Sequence, residues 1–455
     1  MTNTALTSNA PDLETLKKWD RLHQIHPWAA IDSWRGYDNM FVDSADGIYF
    51  WDGAGKRYID GPGGMWCSQI GYGRKEMADA ISDQVIKLPF TSPFTNSTQP
   101  SAILSKKIAD MAPGDLNNVF FTTGGSTAVD TALRTMQYFN NRRGLPEKKM
   151  IIAREKGYHG STYLAHSVTG KERDKSHFDF ATNLVQFLPD VNPYIRQDGM
   201  SIEDWCDAKV EDLREMIKQI GADKIGAFIA EPILSSGGVI VPAKGYQKRT
   251  WEICRENDIL YISDEVVTGF GRLGHWFASE EVFEIIPDMI TCAKGLTSGY
   301  LPLGACIISD RVLEIASQGD EPSAFTNGYT YSAHPVSCAA ALKNIEIFEN
   351  ERILENVRNV SPHFQRRLKD LMKYDIVGDA RGMGLLGCIE CKAEDLESER
   401  SLGSKIDEAC EELGLLVRPL INMAVFSPPL IITIEQIDEM FDILEAAIIK
   451  VENNL

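Results

Sequence analysis

The sequence predicts an α/β protein: a large lobe around a mostly parallel sheet, plus a small α+β lobe assembled from the N- and C-terminal parts. Three observations predict it. Between about residues 76 and 333, short apolar runs alternate with amphipathic helical stretches, as when helices cover both faces of a buried sheet. Outside that span, strand-like runs and helices occur at both ends of the chain. No repeat, low-complexity tract or Gly/Ser/Pro-rich linker separates the parts, so the lobes should pack together. The expected units are 1–75, 76–333 and 334–455.

In the first unit, polar helix-like sequence gives way to Gly47-Ile-Tyr-Phe-Trp51, a strand-like run closed by the turn Asp52-Gly-Ala-Gly55. Central strands are predicted at 119–122, 150–153, 225–230, 259–263, 289–293 and 304–308. The last unit opens with helix to about Met372, then a strand at 384–390 and a helix ending near Glu412. Strands at 415–417 and 424–427 and an amphipathic helix from Glu435 close it.

With 455 residues the chain can bury a large core, and 44% hydrophobic with 24% charged residues is ordinary for a globular protein. The formal charge of −19 opposes binding to phosphate backbones or anionic membranes. Residues 1–16 are polar, and no stretch approaches eighteen apolar residues, so a cytoplasmic protein is expected. Nine scattered cysteines fit free thiols. Cys388 and Cys391 form a CxxC, but on a strand i and i+3 face opposite ways, which argues against a zinc or redox pair; no metal site is expected.

Ligands of open α/β sheets bind beyond the carboxyl ends of the strands. The first strand runs into Thr123-Gly-Gly-Ser-Thr-Ala128, a turn opening a helix whose free amides and positive end suit a phosphate; a plain turn capped by Ser126 or Thr127 is the alternative. The second is followed by Gly157-Tyr-His-Gly160, where Tyr158 could cover a flat ring, and the third by Glu231. Asp264 ends the fourth, where an unpaired buried carboxylate would cost several kcal/mol, so a cationic heterocycle would suit it. Lys294 ends the fifth, thirty positions on, enough for a helical crossover between neighbouring parallel strands. A simple Asp264–Lys294 salt bridge would leave the other strand-end features unexplained.

Taken together these residues resemble the class III (ω-amino-acid:pyruvate type) aminotransferases, of the pyridoxal 5′-phosphate (PLP) family of fold type I. The resemblance runs from about Gly47 to the final helix. It is sharpest in Tyr261-Ile-Ser-Asp-Glu-Val-Val-Thr-Gly-Phe-Gly-Arg272 and Asp288-Met-Ile-Thr-Cys-Ala-Lys294-Gly-Leu-Thr-Ser-Gly299. It implies that Lys294 is the Schiff-base lysine and Asp264 the partner of the pyridine nitrogen. Val266 and Tyr158 would lie on opposite faces of the ring, Gly125 and Ser126 would take the phosphate, and His159 and Glu231 would sit near the ring's phenolic side. Thr330, in Gly328-Tyr-Thr-Tyr-Ser-Ala-His-Pro335, would reach in from the partner of a homodimer. The phosphate turn departs from the common family pattern Asn-Ser-Gly-Ser-Glu-Ala, so any role for a Glu at position 127 is lost.

The same resemblance implies substrate contacts at Trp66, Phe94 and Tyr158, with core packing as the alternative for Trp66 and Phe94. Arg418 aligns with a mobile carboxylate-binding arginine, or else makes a surface salt bridge. The implied reaction is ping-pong transfer of an amino group from an amine or ω-amino acid to a keto acid such as pyruvate. Decarboxylase, racemase and aminomutase chemistry would share Lys294 and Asp264. A non-catalytic PLP-binding protein would not need all these groups intact, and a nicotinamide enzyme would need a glycine fingerprint that is missing.

Overall fold

The computed structural model describes residues 11–318 and 322–455; the opening polar stretch of the sequence lies outside it as far as residue 10. The chain opens with helix Leu13–His23 and three antiparallel strands, β1 (Val42–Asp46), β2 (Tyr49–Asp52) and β3 (Arg57–Asp60). The turn after β2 forms where Asp52 and the two glycines place it, with Asp52 Oδ1 accepting from the amides of Ala54 and Lys56.

The central sheet has seven strands: β4 (Asn118–Thr122), β5 (Met150–Arg154), β6 (Val185–Leu188), β7 (Ile225–Ala230), β8 (Leu260–Asp264), β9 (Met289–Cys292) and β10 (Gly304–Ile308). Their order is β4-β10-β9-β8-β7-β5-β6. The five strands from β9 to β6 are mutually parallel, and β10 runs antiparallel to both β9 and β4. The predicted α/β class therefore holds. Adjacent residues Ile151 and Ile152 enter different cores, the first with helix Gly125–Arg142, the second with helices Ile202–Ile220 and Tyr246–Glu256. Apolar surface on both faces is thus removed from water at roughly 1.5–3 kcal/mol per large side chain.

Two expectations need correction. Strand β6 was missed, because Val-Gln-Phe-Leu is too short and mixed to stand out. The link between β8 and β9 contains no helix: 265–288 is a chain of turns. Glu265 organises it, its carboxylate accepting from the amides of Ala278 and Ser279 and the hydroxyls of Thr268 and Ser279.

The C-terminal part adds β11 (Val377–Met383), β12 (Leu386–Cys391), β13 (Leu415–Leu416), β14 (Arg418–Leu420) and β15 (Met423–Phe426). Strands β11, β12, β15 and β14 make an antiparallel sheet, while β13 pairs parallel with β3 and so stitches the two ends of the chain into one sheet. Strands β11 and β14 were not foreseen. Cys388 and Cys391 enter separate apolar clusters as free thiols, as the strand geometry requires. Among the described residues no helix is long and apolar enough to cross a membrane.

Candidate active site

The carboxyl ends of β4, β5, β7, β8 and β9 carry the polar groups singled out above. Residues Asp264 and Thr291 face each other across the parallel pair β8–β9, and Lys294 follows three residues later. The lysine sits in a short 3₁₀ turn, Lys294–Leu296, with φ of +40°. A non-glycine residue in that region is strained. Asn344 holds the turn, donating to the carbonyls of Gly295 and Leu296 at 2.9 and 3.1 Å. Gly295 must stay small, since a Cβ there would lie 2.5 Å from Gln69 Nε2.

The Lys294 amine lies 4.8 Å from the centre of the Trp66 ring and, among the described residues, makes no ion pair or side-chain hydrogen bond. Burial pushes its pKa below the ordinary lysine range, opposed by Cys67, Asp264 and Glu231. An enclosed, unpaired amine of lowered basicity is a nucleophile in waiting. Trp66 is 4% exposed, and its indole N–H has no partner among the described residues. It shares an apolar cluster with Val239, Val267 and Leu273 and borders the lysine.

Helix Gly125–Arg142 opens directly after β4 with Gly124 as its N-cap and no side-chain cap. Thr127 donates to the Gly124 carbonyl rather than accepting an amide, so the alternative of a capped turn is not what forms. The first amides, at Gly125 and Ser126, are left for an anion. Ser126 Oγ accepts from the Ser161 amide at 3.1 Å, tying this turn to the one after β5. Val266 packs on Gly125, within about 3.0 Å of where a Cβ would lie.

Tyr158 is half-buried, its hydroxyl 3.0 Å from Ser161 Oγ. Trp28 of the N-terminal segment lies 6.0 Å away, tilted at 53°, a neighbour brought there from 130 positions earlier by the tertiary fold. Glu231 is 4% exposed and accepts from the amides of Tyr158 and Ser235; burial raises its pKa. His159 Nδ1 lies 2.6 Å from Asp264 Oδ2. The other oxygen of Asp264 accepts from the Thr291 hydroxyl and the Val266 amide. Thr291 was overlooked because its place beside Asp264 depends on strand register.

Arg418, on β14, is within electrostatic reach of Tyr158 and Lys294. It makes no salt bridge among the described residues, its Nε is buried without a partner, and burial lowers its pKa. The surface salt bridge considered for it is therefore not formed. Phe94 is 71% exposed, which removes core packing, and it lies beside Gly328 and Tyr329 on an outer groove of the subunit rather than beside Trp66. Thr330 is exposed on the same loop, whose Tyr329 hydroxyl donates to the Thr127 carbonyl at 3.1 Å.

The family model for class III aminotransferases matches residues 33–448. The chain belongs to the class III aminotransferases. It is 38% identical to the putrescine–pyruvate aminotransferase of Pseudomonas aeruginosa, covering 93% of this chain and 94% of that protein. Gamma aminobutyrate transaminase 1 of Solanum lycopersicum is 36% identical over 94% of this chain and 84% of its own length. The PMP-bound aminotransferase from Vibrio fluvialis superimposes with a TM-score of 0.91 at 33% identity, over 98% and 99% of the two chains. Like the other class III aminotransferases, this one is a PLP-dependent enzyme of fold type I. The residues fit that cofactor: an unpaired enclosed amine, an uncapped helix end for a phosphate, and a buried carboxylate on the neighbouring strand.

Proposed function

We propose that this aminotransferase moves an amino group from an amine or ω-amino acid to pyruvate, using PLP held by Lys294, in a homodimer with shared sites. The observation that carries the acceptor assignment is Arg418, a partly buried guanidinium without a carboxylate partner among the described residues, within electrostatic reach of Lys294. A keto acid brings the missing carboxylate, and a guanidinium grips it bidentately.

When bound, PLP supplies the electron sink that stabilises a carbanion at the amine carbon. The amides of Gly125 and Ser126 would hold its phosphate, Val266 and Tyr158 its two faces, and Glu231 would border the site by fixing Tyr158. Asp264 would oppose the charge of the ring nitrogen. Lys294 Nζ would tether the cofactor; once free, its amine would take the proton from the substrate carbon and deliver it to the cofactor carbon that bears the transferred nitrogen, acting as base and then acid. Trp66 screens that amine from water on one side. Thr330 and Phe94 would serve a partner's site.

Similarity to a putrescine and to a gamma-aminobutyrate transaminase supports an amine borne on a terminal carbon, with or without a distant carboxylate. A panel of diamines, ω-amino acids and arylalkylamines with pyruvate, scored by alanine formed, tests the reading. Alanine is expected with several donors; its absence with all of them, or release of carbon dioxide instead, would overturn it.

A further inference from the structure

Trp66 reaches the Lys294 amine from a strained turn. Gly63, Gly64 and Trp66 all have positive φ, at +60°, +63° and +62°, and for a side chain as bulky as tryptophan that conformation is disfavoured. The first half of the turn is boxed in from behind. A Cβ on Gly61 would collide with the Leu416 carbonyl of β13, and one on Gly63 with the Ser427 carbonyl. The Ser427 amide donates to the Gly61 carbonyl at 2.8 Å, and its hydroxyl to the Pro62 carbonyl at 2.6 Å. These contacts leave the outer half free, where Gly64 and Met65 are exposed.

A buried acid holds that outer half. Asp60, the last residue of β3, is 2% exposed. Its Oδ2 accepts from the Gly64 amide at 2.7 Å and from the Tyr72 hydroxyl at 2.6 Å, and the Ser68 hydroxyl donates to Tyr72 at 2.8 Å. Burying a carboxylate among neutral donors is unfavourable by itself, yet hydrogen bonds to a charged acceptor are stronger than those between neutral groups. Gly64 stands two residues before Trp66 and Ser68 two after it, so the run Ser68–Tyr72–Asp60–Gly64 brackets the tryptophan on both sides. The indole N–H has no partner among the described residues, so the ring takes its place from the backbone that carries it. That place is 4.8 Å, ring centre to Nζ, from Lys294.

We propose that Asp60 and Tyr72 are positioning residues: through the Gly64 amide and the Ser68 hydroxyl they hold the turn that lays Trp66 against the Lys294 amine, and so set the width of the substrate space beside it. The proposal rests on the reading of Lys294 as the reacting amine.

In wild type, the Gly64 amide should exchange slowly with solvent although its residue is exposed. Exchange as fast as in an open loop overturns the proposal, whether or not any variant folds. In the cofactor-free enzyme, carbamoylation of Lys294 by cyanate, read by mass spectrometry, should quicken about fivefold in Tyr72→Phe, as for the loss of one ordinary hydrogen bond, and at least as much in Trp66→Ala. The double variant should react no faster than Trp66→Ala alone; multiplied increases would mean that Tyr72 acts elsewhere. In the loaded enzyme, Tyr72→Phe should shift the ratio of kcat/KM for an arylalkylamine to that for a linear amine about threefold or more, in the same direction as Trp66→Ala. A lowered melting temperature with carbamoylation rate and ratio both unchanged would make the network structural only and overturn the proposal. If Lys294→Ala keeps its turnover, the reading of the reacting amine fails, while exchange and carbamoylation still judge the turn.

Discussion

At the scale of single residues, the amine of Lys294 has a task that no neighbour can assume, because the buried carboxylates beside it lack nucleophilic nitrogen. Lys294→Ala should lower turnover at least about 10²–10⁴-fold from the loss of acid–base work alone, with PLP still bound through the phosphate turn. Retention of a tenth of wild-type rate would exclude the role. Arg418 is expected to matter unequally: Arg418→Ala should cut kcat/KM for pyruvate roughly 30-fold or more, and leave the half-reaction with a carboxylate-free amine nearly unchanged. Equal losses in both half-reactions would make it structural. In the sequence Lys294 stands out as a lysine between two tiny residues at a strand end, whereas Arg418 is singled out by the family resemblance alone. The pairing of His159 with Asp264 was not legible there, because 105 positions separate them and only the sheet order brings them together.

At the scale of elements, strands read well where β-branched and apolar runs are continuous, as in β7 and β10, whose limits match the expected ones. Mixed strands such as β6, β11 and β14 gain their structure from partners, a tertiary effect that local pattern does not carry. The phosphate turn shows how two elements fix one another. Gly160 has φ of +140°, and a Cβ on it would lie 2.6–2.8 Å from three atoms of Ser126. Gly160→Ala should therefore push the start of helix Gly125–Arg142 away from its place, at a cost of about 1–3 kcal/mol. PLP affinity should fall about tenfold or more, measured by titration of the cofactor-free enzyme, while the far end of the sheet keeps its stability. Unchanged affinity would show that the phosphate is held elsewhere.

At the scale of the whole molecule, one subunit leaves large apolar groups uncovered: Ile86 is 81%, Phe94 71% and Tyr331 59% exposed. Phe90 packs edge-on against Tyr331 at 5.8 Å, so this surface joins the 328–331 loop to the segment that carries Phe94. Exposed apolar surface of that kind marks an interface, and a two-fold dimer would use it twice. The loop bears Thr330, which the family resemblance assigns to the partner's cofactor site, and Phe94, on the adjoining segment, meets nothing of its own Trp66–Lys294 site. If the sites are shared, each needs Lys294 from one chain and Thr330 from the other. Lys294→Ala and Thr330→Ala homodimers should then both be weak. After subunit exchange, the mixed dimer should recover activity at one of its two sites, because one such site draws both intact residues from different chains. Distinct affinity tags on the two variants would confirm exchange and allow the mixed dimer to be isolated. Activity no higher than that of the stronger parent in that isolated species would confine Thr330 to its own subunit and leave the exposed face to some other contact.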